Sequence, residues 1–315
     1  EPPAPACLMA QALKALSLPS RPRLQSIPPP SRGSLLHCHQ ERLPRAAASP
    51  SAGGVVVMAR RAAVAGQRGQ GGSGAVADPL PPSDSRRVLS PAQAVEVYDE
   101  YGAKDLVNDS ESVYGGPATR ALLGAADLSA AGVLFEFGHG SGKLAKRLLD
   151  SELPPGCQYI GVDQSPVMHA KAAARLATFG ARASLQLAAC GAPTSECAAG
   201  VADGSVDVFV STYVLDLLGD DDIAGVLEEA GRVLRPGGQL LLTGLTYGSR
   251  IGPFQAVVTW GWELVHMVAP RLVGGCRAQV LRGYLGPLWE VKEEELVHGG
   301  LLSSEVLVCV KRLTW

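Results

Sequence analysis

Between residues 133 and 245, short apolar runs alternate with segments of helical character, and this alternation constrains the fold more than any other feature. The runs predict strands at Val133–Phe137, Tyr159–Val162, Ser184–Ala188, Val206–Ser211 and Gln239–Leu245. The segments before and between the runs predict helices over residues 90–101, 117–124, 141–150, 165–177 and 221–234. Strands and helices in this order build right-handed crossover units, which give a parallel sheet covered on both faces.

The C-terminal part departs from this alternation. Trp289–Leu296 and Glu305–Lys311 are two strand-like runs of mixed apolar and polar residues, with His298, Gly299 and Gly300 between them. This pattern is typical of a hairpin. We therefore predict one α/β domain over residues 84–315, with a doubly wound, mostly parallel seven-stranded sheet that closes with an antiparallel C-terminal hairpin.

The N-terminal part has a different composition. Residues 1–83 hold nine Lys and Arg against three acids and are rich in Pro, Ala, Ser and Gly, whereas residues 84–315 hold 19 basic against 27 acidic residues. Residues 1–83 show little hydrophobic periodicity, so we expect disorder there. A segment rich in Arg, Ser and Ala and poor in acids is typical of an organellar transit peptide and linker. The chloroplast is the predicted destination, with the mitochondrion or the cytoplasm as alternatives. The other interpretation is a disordered tail without a targeting signal.

Charge and composition exclude several classes of function. A net charge of -2 and a pI near 6.4 argue against a protein that binds nucleic acid through a broad basic surface. The seven cysteines form no CxxC pair and no Cys/His cluster, so no metal site is predicted. The longest apolar stretch, Ile251–Leu272, is interrupted by Gln255, Glu263, His266 and Arg271, which favours a packed amphipathic helix over an integral membrane segment.

Three glycines, Gly138, Gly140 and Gly142, follow the first predicted strand at alternate positions. Ligands of open α/β sheets bind beyond the carboxyl ends of the strands, and a residue without Cβ lets a ligand lie on the backbone. A dinucleotide site would need its third glycine at position 143, where Lys143 stands. Asp163 ends the second strand and can accept hydrogen bonds from both hydroxyls of a ribose. The spacing therefore favours a cofactor that joins a nucleoside to methionine.

Four segments carry a resemblance to a known family: VLFEFGHGSGKLAKRLL, YIGVDQSP, DGSVDVFVSTYVLDLL and EAGRVLRPGGQLLLTGL. They resemble the class I S-adenosylmethionine-dependent methyltransferases over about residues 95–312. Within that superfamily the chain is similar to the methyltransferase type 11 proteins and the ubiquinone/menaquinone methyltransferases. The resemblance implies a Rossmann-like fold, S-adenosylmethionine as the cofactor, and transfer of its methyl group to a small-molecule acceptor.

The resemblance also implies roles for individual residues. Cofactor-binding positions of the family fall on Glu136, Gly138, Gly140, Gly142, Asp163, Gln164 and Ser211. Glu136 would lie near the methionine amino group, Asp163 would bind the ribose, and Gln164 would lie beside the adenosine. The chain departs from the family after the third strand, where residues 187–191 read LAACG and lack the acid that often binds adenine.

The catalytic candidates are His139, Tyr213 and Asp216. His139 has a pKa suited to a general base, although its side chain could instead point to solvent. Tyr213 follows the fourth strand and would border the transferred methyl group, and Asp216 could act on the acceptor or cap the next helix. Aromatic residues between 248 and 287, such as Trp260, suit either a lid over a partly apolar acceptor or core packing.

The type of acceptor is less constrained than the cofactor. An Asn/Asp-Pro-Pro-Tyr/Phe sequence, which serves amino-group methylation of bases and amides, is absent after the fourth strand, where STYV stands. No nucleic-acid partner is therefore predicted, and the oligomeric state is left open. Two alternatives have other chemistry: a catalytically silent protein of this fold that serves as a binding or scaffold subunit, and a nicotinamide oxidoreductase.

Overall fold

The structure is a computed structural model that describes residues 88–104, 115–247, 251–299 and 301–313. The predicted transit peptide and linker, residues 1–83, lie outside the described residues. Among the residues that the structure describes, no helix is long and apolar enough to cross a membrane.

The strands form one seven-stranded sheet. They are β1 (Val133–Phe137), β2 (Gln158–Asp163), β3 (Ala183–Leu187), β4 (Val206–Thr212), β5 (Leu234–Leu245), β6 (Trp289–Gly299) and β7 (Leu302–Lys311). Their order across the sheet is β3-β2-β1-β4-β5-β7-β6, and the first five strands are parallel. The strand β7 is antiparallel to both β5 and β6, so the predicted hairpin closes the sheet. The predicted fold class is confirmed.

The helices cover the sheet and its carboxyl edge. They are α1 (Pro91–Ala103), α2 (Gly116–Ala125), α3 (Lys143–Arg147), α4 (Pro166–Leu176), α5 (Asp220–Val233) and α6 (Pro253–Val268). The start of α1 is a capping box, in which the Ser90 hydroxyl accepts from the Gln93 N–H and the Gln93 side chain accepts from the Ser90 N–H. Ser165 caps α4 by accepting from the Met168 N–H.

Each face of the sheet has its own hydrophobic core. On one face, Phe135 and Phe209 stack with ring centroids 5.2 Å apart and pack with the inward residues of α5. On the other face, Leu134 and Val210 pack with α2 and α3. Because apolar side chains cover both faces of the central strands, these strands read as continuous apolar runs in the sequence.

Two local elements differ from the predictions. The helix predicted over residues 141–150 begins at Lys143 and becomes one wider turn over Leu148–Glu152. The strand predicted to begin at Gln239 begins at Leu234, so Pro236–Gly238 lies inside β5, where the pairing with β4 shifts register between Val206 and Val208. A bulge of this kind lets the strand continue while the chain bends.

Candidate cofactor and acceptor site

The glycine loop lies between β1 and α3, at the point where β1 separates β2 from β4. Gly138, Gly140 and Gly142 all have positive φ, at 79°, 50° and 75°. A Cβ on Gly138 would lie 2.3 Å from the Val214 side chain, and one on Gly142 would lie 3.0 Å from Ala172 of α4. A Cβ on Gly140 would meet nothing within 4 Å. Gly138 and Gly142 therefore leave room for side chains and backbone of neighbouring elements to pack closely. Gly140 instead exposes backbone without a side chain to open space.

Asp163 lies at the end of β2 and is half-buried. One of its carboxylate oxygens accepts from the Gly140 N–H and the other from the Ser165 N–H, both at 2.8 Å. Because each carboxylate oxygen can accept more than one hydrogen bond, Asp163 can fix the glycine loop and still accept from ribose hydroxyls. The structure thus places Asp163 beside Gly140 of the glycine loop.

Gln164 joins the loops that follow β2 and β3. Its side-chain oxygen accepts from the Gly191 N–H at 3.4 Å, and the Ala188 N–H donates to the Asp163 carbonyl at 2.9 Å. The residues LAACG therefore lie beside Gln164, where an acid would bind adenine in the family. Backbone groups and Gln164 form this edge of the site.

Glu136 is buried at the end of β1. The Tyr159 hydroxyl donates to its carboxylate at 2.6 Å, and this hydroxyl fills the space that a Cβ on Gly161 would need. Burial raises the pKa of Glu136 to about 8, with the nearby Asp163 carboxylate adding to the increase and the Tyr159 hydrogen bond opposing it. A buried carboxyl group at this position suits the ammonium group of a methionine moiety.

His139 is buried between the glycines and faces helix α4. Its Nδ1 lies 2.7 Å from the Gly140 carbonyl oxygen, and its ring centroid lies 5.6 Å from that of His169. The Nε2 atom of His139 and the Nδ1 atom of His169 are buried with no hydrogen-bond partner among the described residues. Burial lowers the pKa of His139. These contacts all lie on the cofactor side, so the geometry favours a role of His139 in shaping the loop over proton transfer to an acceptor.

Ser211 and Tyr213 lie at the end of β4, across the switch point from the glycine loop. The Ser211 hydroxyl donates to the Phe137 carbonyl at 3.1 Å, so it ties β4 to β1 beneath the loop. Tyr213 has a φ of 56°, which is the left-handed region that non-glycine residues rarely adopt. Its hydroxyl lies 2.8 Å from the Ser304 hydroxyl. Strained backbone of this kind is concentrated at functional sites.

Asp216 is completely buried under the segment that follows α6. It accepts from the Leu245 N–H at 2.8 Å, and its other oxygen lies where a Cβ on Gly244 would be, with no hydrogen-bond partner among the described residues. Burial raises the pKa of Asp216 to about 8, although the Arg277 guanidinium opposes this and the carboxyls of Glu263 and Glu305 add to it. Asp216 is not a helix cap, because α5 begins at Asp220.

A covering loop, residues 270–279, closes over the ends of β4 and β5 and meets α1. The Tyr98 hydroxyl lies 3.8 Å from the Cys276 sulfur, and a Cβ on Gly275 would lie 2.6 Å from Leu89. Helix α6 holds this loop from behind: Trp262 donates to the Cys276 carbonyl at 2.8 Å, and Glu263 accepts from the Ala278 N–H at 2.5 Å. The site is therefore enclosed on its acceptor side.

The large apolar residues between positions 248 and 287 fall into two groups, one buried and one exposed. Trp262 is buried against the covering loop, whereas Phe254, Trp260 and Met267 are exposed to solvent. Core packing is wrong for Phe254 and Trp260, because their side chains are exposed to solvent, and a lid stays a prediction.

Sequence reasoning missed several residues that shape the site. Asp99 of α1 accepts from the Ser165 hydroxyl at 2.5 Å, which docks α1 beside Asp163. Tyr159 and His169 were missed because their contacts with Glu136 and His139 cross from one element to another. Local periodicity carries no signal for such contacts. Among the described residues, no three His, Cys, Asp or Glu side chains gather as a metal site would require.

The comparisons with known proteins agree with this geometry. Residues 134–238 match the family model of a methyltransferase domain, and this segment contains every predicted cofactor and catalytic residue. No curated protein matches the chain in sequence.

Two solved structures are similar to the chain. One is a complex of the Haloferax volcanii Trm112 methyltransferase activator with a protein assigned as a methyltransferase, at 17% identity over 69% of this chain and 98% of that chain, with a TM-score of 0.50. The other is the mitomycin 7-O-methyltransferase MmcR, at 19% identity over 71% of this chain and 61% of that chain, with a TM-score of 0.50. These likenesses show the fold. The domain match supports the class I methyltransferase superfamily, and the predicted cofactor, S-adenosylmethionine, is confirmed.

Proposed function

We propose that this chain transfers a methyl group from S-adenosylmethionine to a small-molecule acceptor, within the branch of the superfamily that resembles the ubiquinone/menaquinone methyltransferases. The observation that carries the proposal is the closed acceptor side. The covering loop contacts Tyr98 of α1 and Leu89 just before that helix, and it lies over the ends of β4 and β5. An enclosed site of this kind suits a small acceptor better than a macromolecule.

The chain's own residues supply binding and alignment. S-adenosylmethionine, when bound, supplies a methyl group that is already activated on a sulfonium. Asp163 would accept from the ribose hydroxyls, Gly140 leaves room for the cofactor on bare backbone, and Glu136 would receive the amino group. Tyr213 lies across the switch point from them and borders the acceptor. Positioning of the two reactants in a site closed to water supplies much of the rate in such a reaction.

The test is turnover of the full chain with S-adenosylmethionine and acceptors of different size. We expect S-adenosylhomocysteine to form with one or more of the small acceptors, such as quinols, phenols, carboxylic acids or amines, and not with peptides or RNA. Methylation of a peptide or RNA alone would contradict the proposal. Saturable cofactor binding without turnover on any acceptor would favour the silent scaffold instead.

We also propose that residues 1–83 direct the chain to the chloroplast. Their basic, acid-poor composition supports this, and the mitochondrion is the alternative. A fluorescent protein fused behind the full chain should enter chloroplasts of a plant or algal cell. The same fusion with the arginines of residues 1–83 replaced by glutamate should stay outside them, and entry of both proteins would contradict the proposal.

A further inference from the structure

Helix α6 has its polar and apolar faces reversed relative to an ordinary surface helix. Its buried residues are Thr259, Trp262, Glu263 and His266, of which three are polar. Six large apolar side chains are instead exposed, by 44% to 75%: Phe254, Val257, Trp260, Leu264, Met267 and Val268. Each of them lies three or four residues from another of the six, so they form one continuous stripe along the helix, called here the outer face of α6.

The buried polar residues have a structural explanation. Glu263 accepts from the Ala278 N–H, Trp262 donates to the Cys276 carbonyl, and a ring nitrogen of His266 lies 3.2 Å from the Gly275 carbonyl. The inner face of α6 thus holds the backbone of the covering loop. Among the described residues, no contact of this kind holds the outer face, although large apolar side chains are normally buried.

The size of the outer face points to a protein partner. Six side chains of this size and exposure leave roughly 600 Å² of apolar surface, which is at the upper end for a monomer. Two such faces in contact would bury about 1,200 Å², which reaches the range of specific protein interfaces. A surface of this area is therefore large enough to hold two copies of the chain together without help from another region.

The charges near the helix favour a second copy over a lipid surface. Helices that lie on membranes carry Lys or Arg beside their apolar face to bind anionic headgroups. The sequence of α6 contains no Lys or Arg, and Arg271 just after it is ion-paired with Glu96 of α1. Residues 84–315 as a whole hold 19 basic against 27 acidic residues, so an anionic membrane would repel the domain.

The same lack of charge suits self-association. In a twofold dimer the same patch meets itself, so a charge close to the twofold axis would oppose its own copy. The outer face of α6 carries none, and a Cβ on Gly261, in the middle of the helix, would meet nothing within 4 Å. We propose that the outer face of α6 is the interface of a twofold homodimer, in which α6 packs against α6 of a second copy.

The test is the mass of the full chain in solution. Sedimentation velocity over about a hundredfold range of concentration should show a species of twice the 32.7 kDa chain mass that dissociates on dilution. Val257→Glu places a charge at a side chain that is 69% exposed in the stripe, and it should weaken the dimer at least about tenfold. The matched control is Leu313→Glu, at a residue that is 61% exposed and outside the stripe, and it should leave the dimer intact.

A second measurement does not depend on variants. Amide hydrogen exchange in residues 253–268 of the wild-type chain should slow as the concentration rises, while α5 stays unchanged. A wild-type chain that is monomeric throughout, or a Val257→Glu chain that dimerises as tightly as wild type, would overturn the proposal. Co-sedimentation with vesicles of phosphatidylcholine and phosphatidylglycerol by a monomeric wild-type chain, lost in Val257→Glu, would overturn it in favour of a lipid occupant.

Discussion

The two sides of the cleft hold their key carboxylates in opposite ways. On the cofactor side, Asp163 is half-buried and accepts from two backbone N–H groups of nearby loops. On the acceptor side, Asp216 is completely buried, accepts from one N–H, and shares its surroundings with Glu263, Glu305 and Arg277. An accessible carboxylate with free lone pairs can bind a ligand. A covered carboxylate instead interacts with the chain segment that buries it. An acid at the end of a strand can therefore either bind a ligand or hold a covering segment in place. Which of the two it does depends on whether another segment of the chain buries it.

The largest effect should come from removing the cofactor-side carboxylate. Asp163→Ala would lose the charge-assisted hydrogen bonds to the ribose, and we expect S-adenosylmethionine affinity to fall about 100-fold, or ~2.7 kcal/mol, by calorimetry on the full chain. Asp216→Asn replaces a buried carboxyl group on the other side, which is mostly protonated near pH 7, and should leave that affinity within about twofold. Equal losses of S-adenosylmethionine affinity in the two variants would contradict the assignment of Asp163 to the cofactor side and of Asp216 to the acceptor side.

The second effect is on stability and comes from Asp216. Its pKa is raised to about 8 in the folded chain from an ordinary value of 3.8, so the folded state holds a proton that the unfolded state releases between these values. The stability from this group is present at low pH and is lost as pH rises toward 8. Asp216→Asn lacks the titrating group.

We therefore expect the free energy of unfolding of Asp216→Asn, relative to wild type, to rise by about 4 kcal/mol between pH 5 and pH 8.5, measured by urea denaturation. Asp163→Asn is the control, since it makes the same substitution at a half-buried carboxylate on the cofactor side. Parallel pH profiles for wild type and Asp216→Asn would mean that Asp216 is ionised in the folded chain.

A smaller effect should appear in the pH dependence of cofactor affinity. Burial raises the pKa of Glu136 to about 8, so the free chain carries a neutral Glu136 near pH 6. If this group receives the cofactor's ammonium, it must ionise on binding and release a proton. We expect S-adenosylmethionine affinity to rise about tenfold from pH 6 to pH 8. Calorimetry in two buffers with different ionisation enthalpies measures the released proton. In Glu136→Gln, which cannot ionise, the rise and the proton release should both disappear, and their persistence would assign them to another group.

The sheet and the cofactor side were largely predictable, because their signals are local. Apolar runs marked β1, β2 and β4, the glycine spacing marked the loop, and the acid after Val162 marked the ribose position. What the sequence did not reveal depends on contacts between distant elements. Gly138 and Gly142 make room for Val214 and Ala172, which lie more than 25 residues away in the chain.

The acceptor side was less predictable for the same reason. The amphipathic pattern of α6 was recognised, but the direction of its faces was not. Hydrophobic periodicity gives the separation of two faces, and only the tertiary structure says which one is covered. The polar face of α6 is the covered one because Glu263 and Trp262 hold the backbone of the covering loop. Asp216 was likewise visible as an acid after β4, but the loop that buries it is 54 or more residues further along the chain.

The smallest effect separates two roles for Tyr213. Its hydroxyl lies 2.8 Å from that of Ser304, and burial raises its pKa well above the usual range, so it is neutral near pH 7. Tyr213→Phe and Ser304→Ala should each lower the free energy of unfolding by about 1 kcal/mol, and the double variant should cost little more than either one, because both lose the same hydrogen bond. Once an acceptor has been identified, kcat can be measured for both single variants. If the Tyr213 hydroxyl acts at the transferred methyl group, Tyr213→Phe should lower kcat and Ser304→Ala should not. Equal kcat values in the two single variants would assign the hydroxyl to stability alone and leave the acceptor side without a catalytic tyrosine.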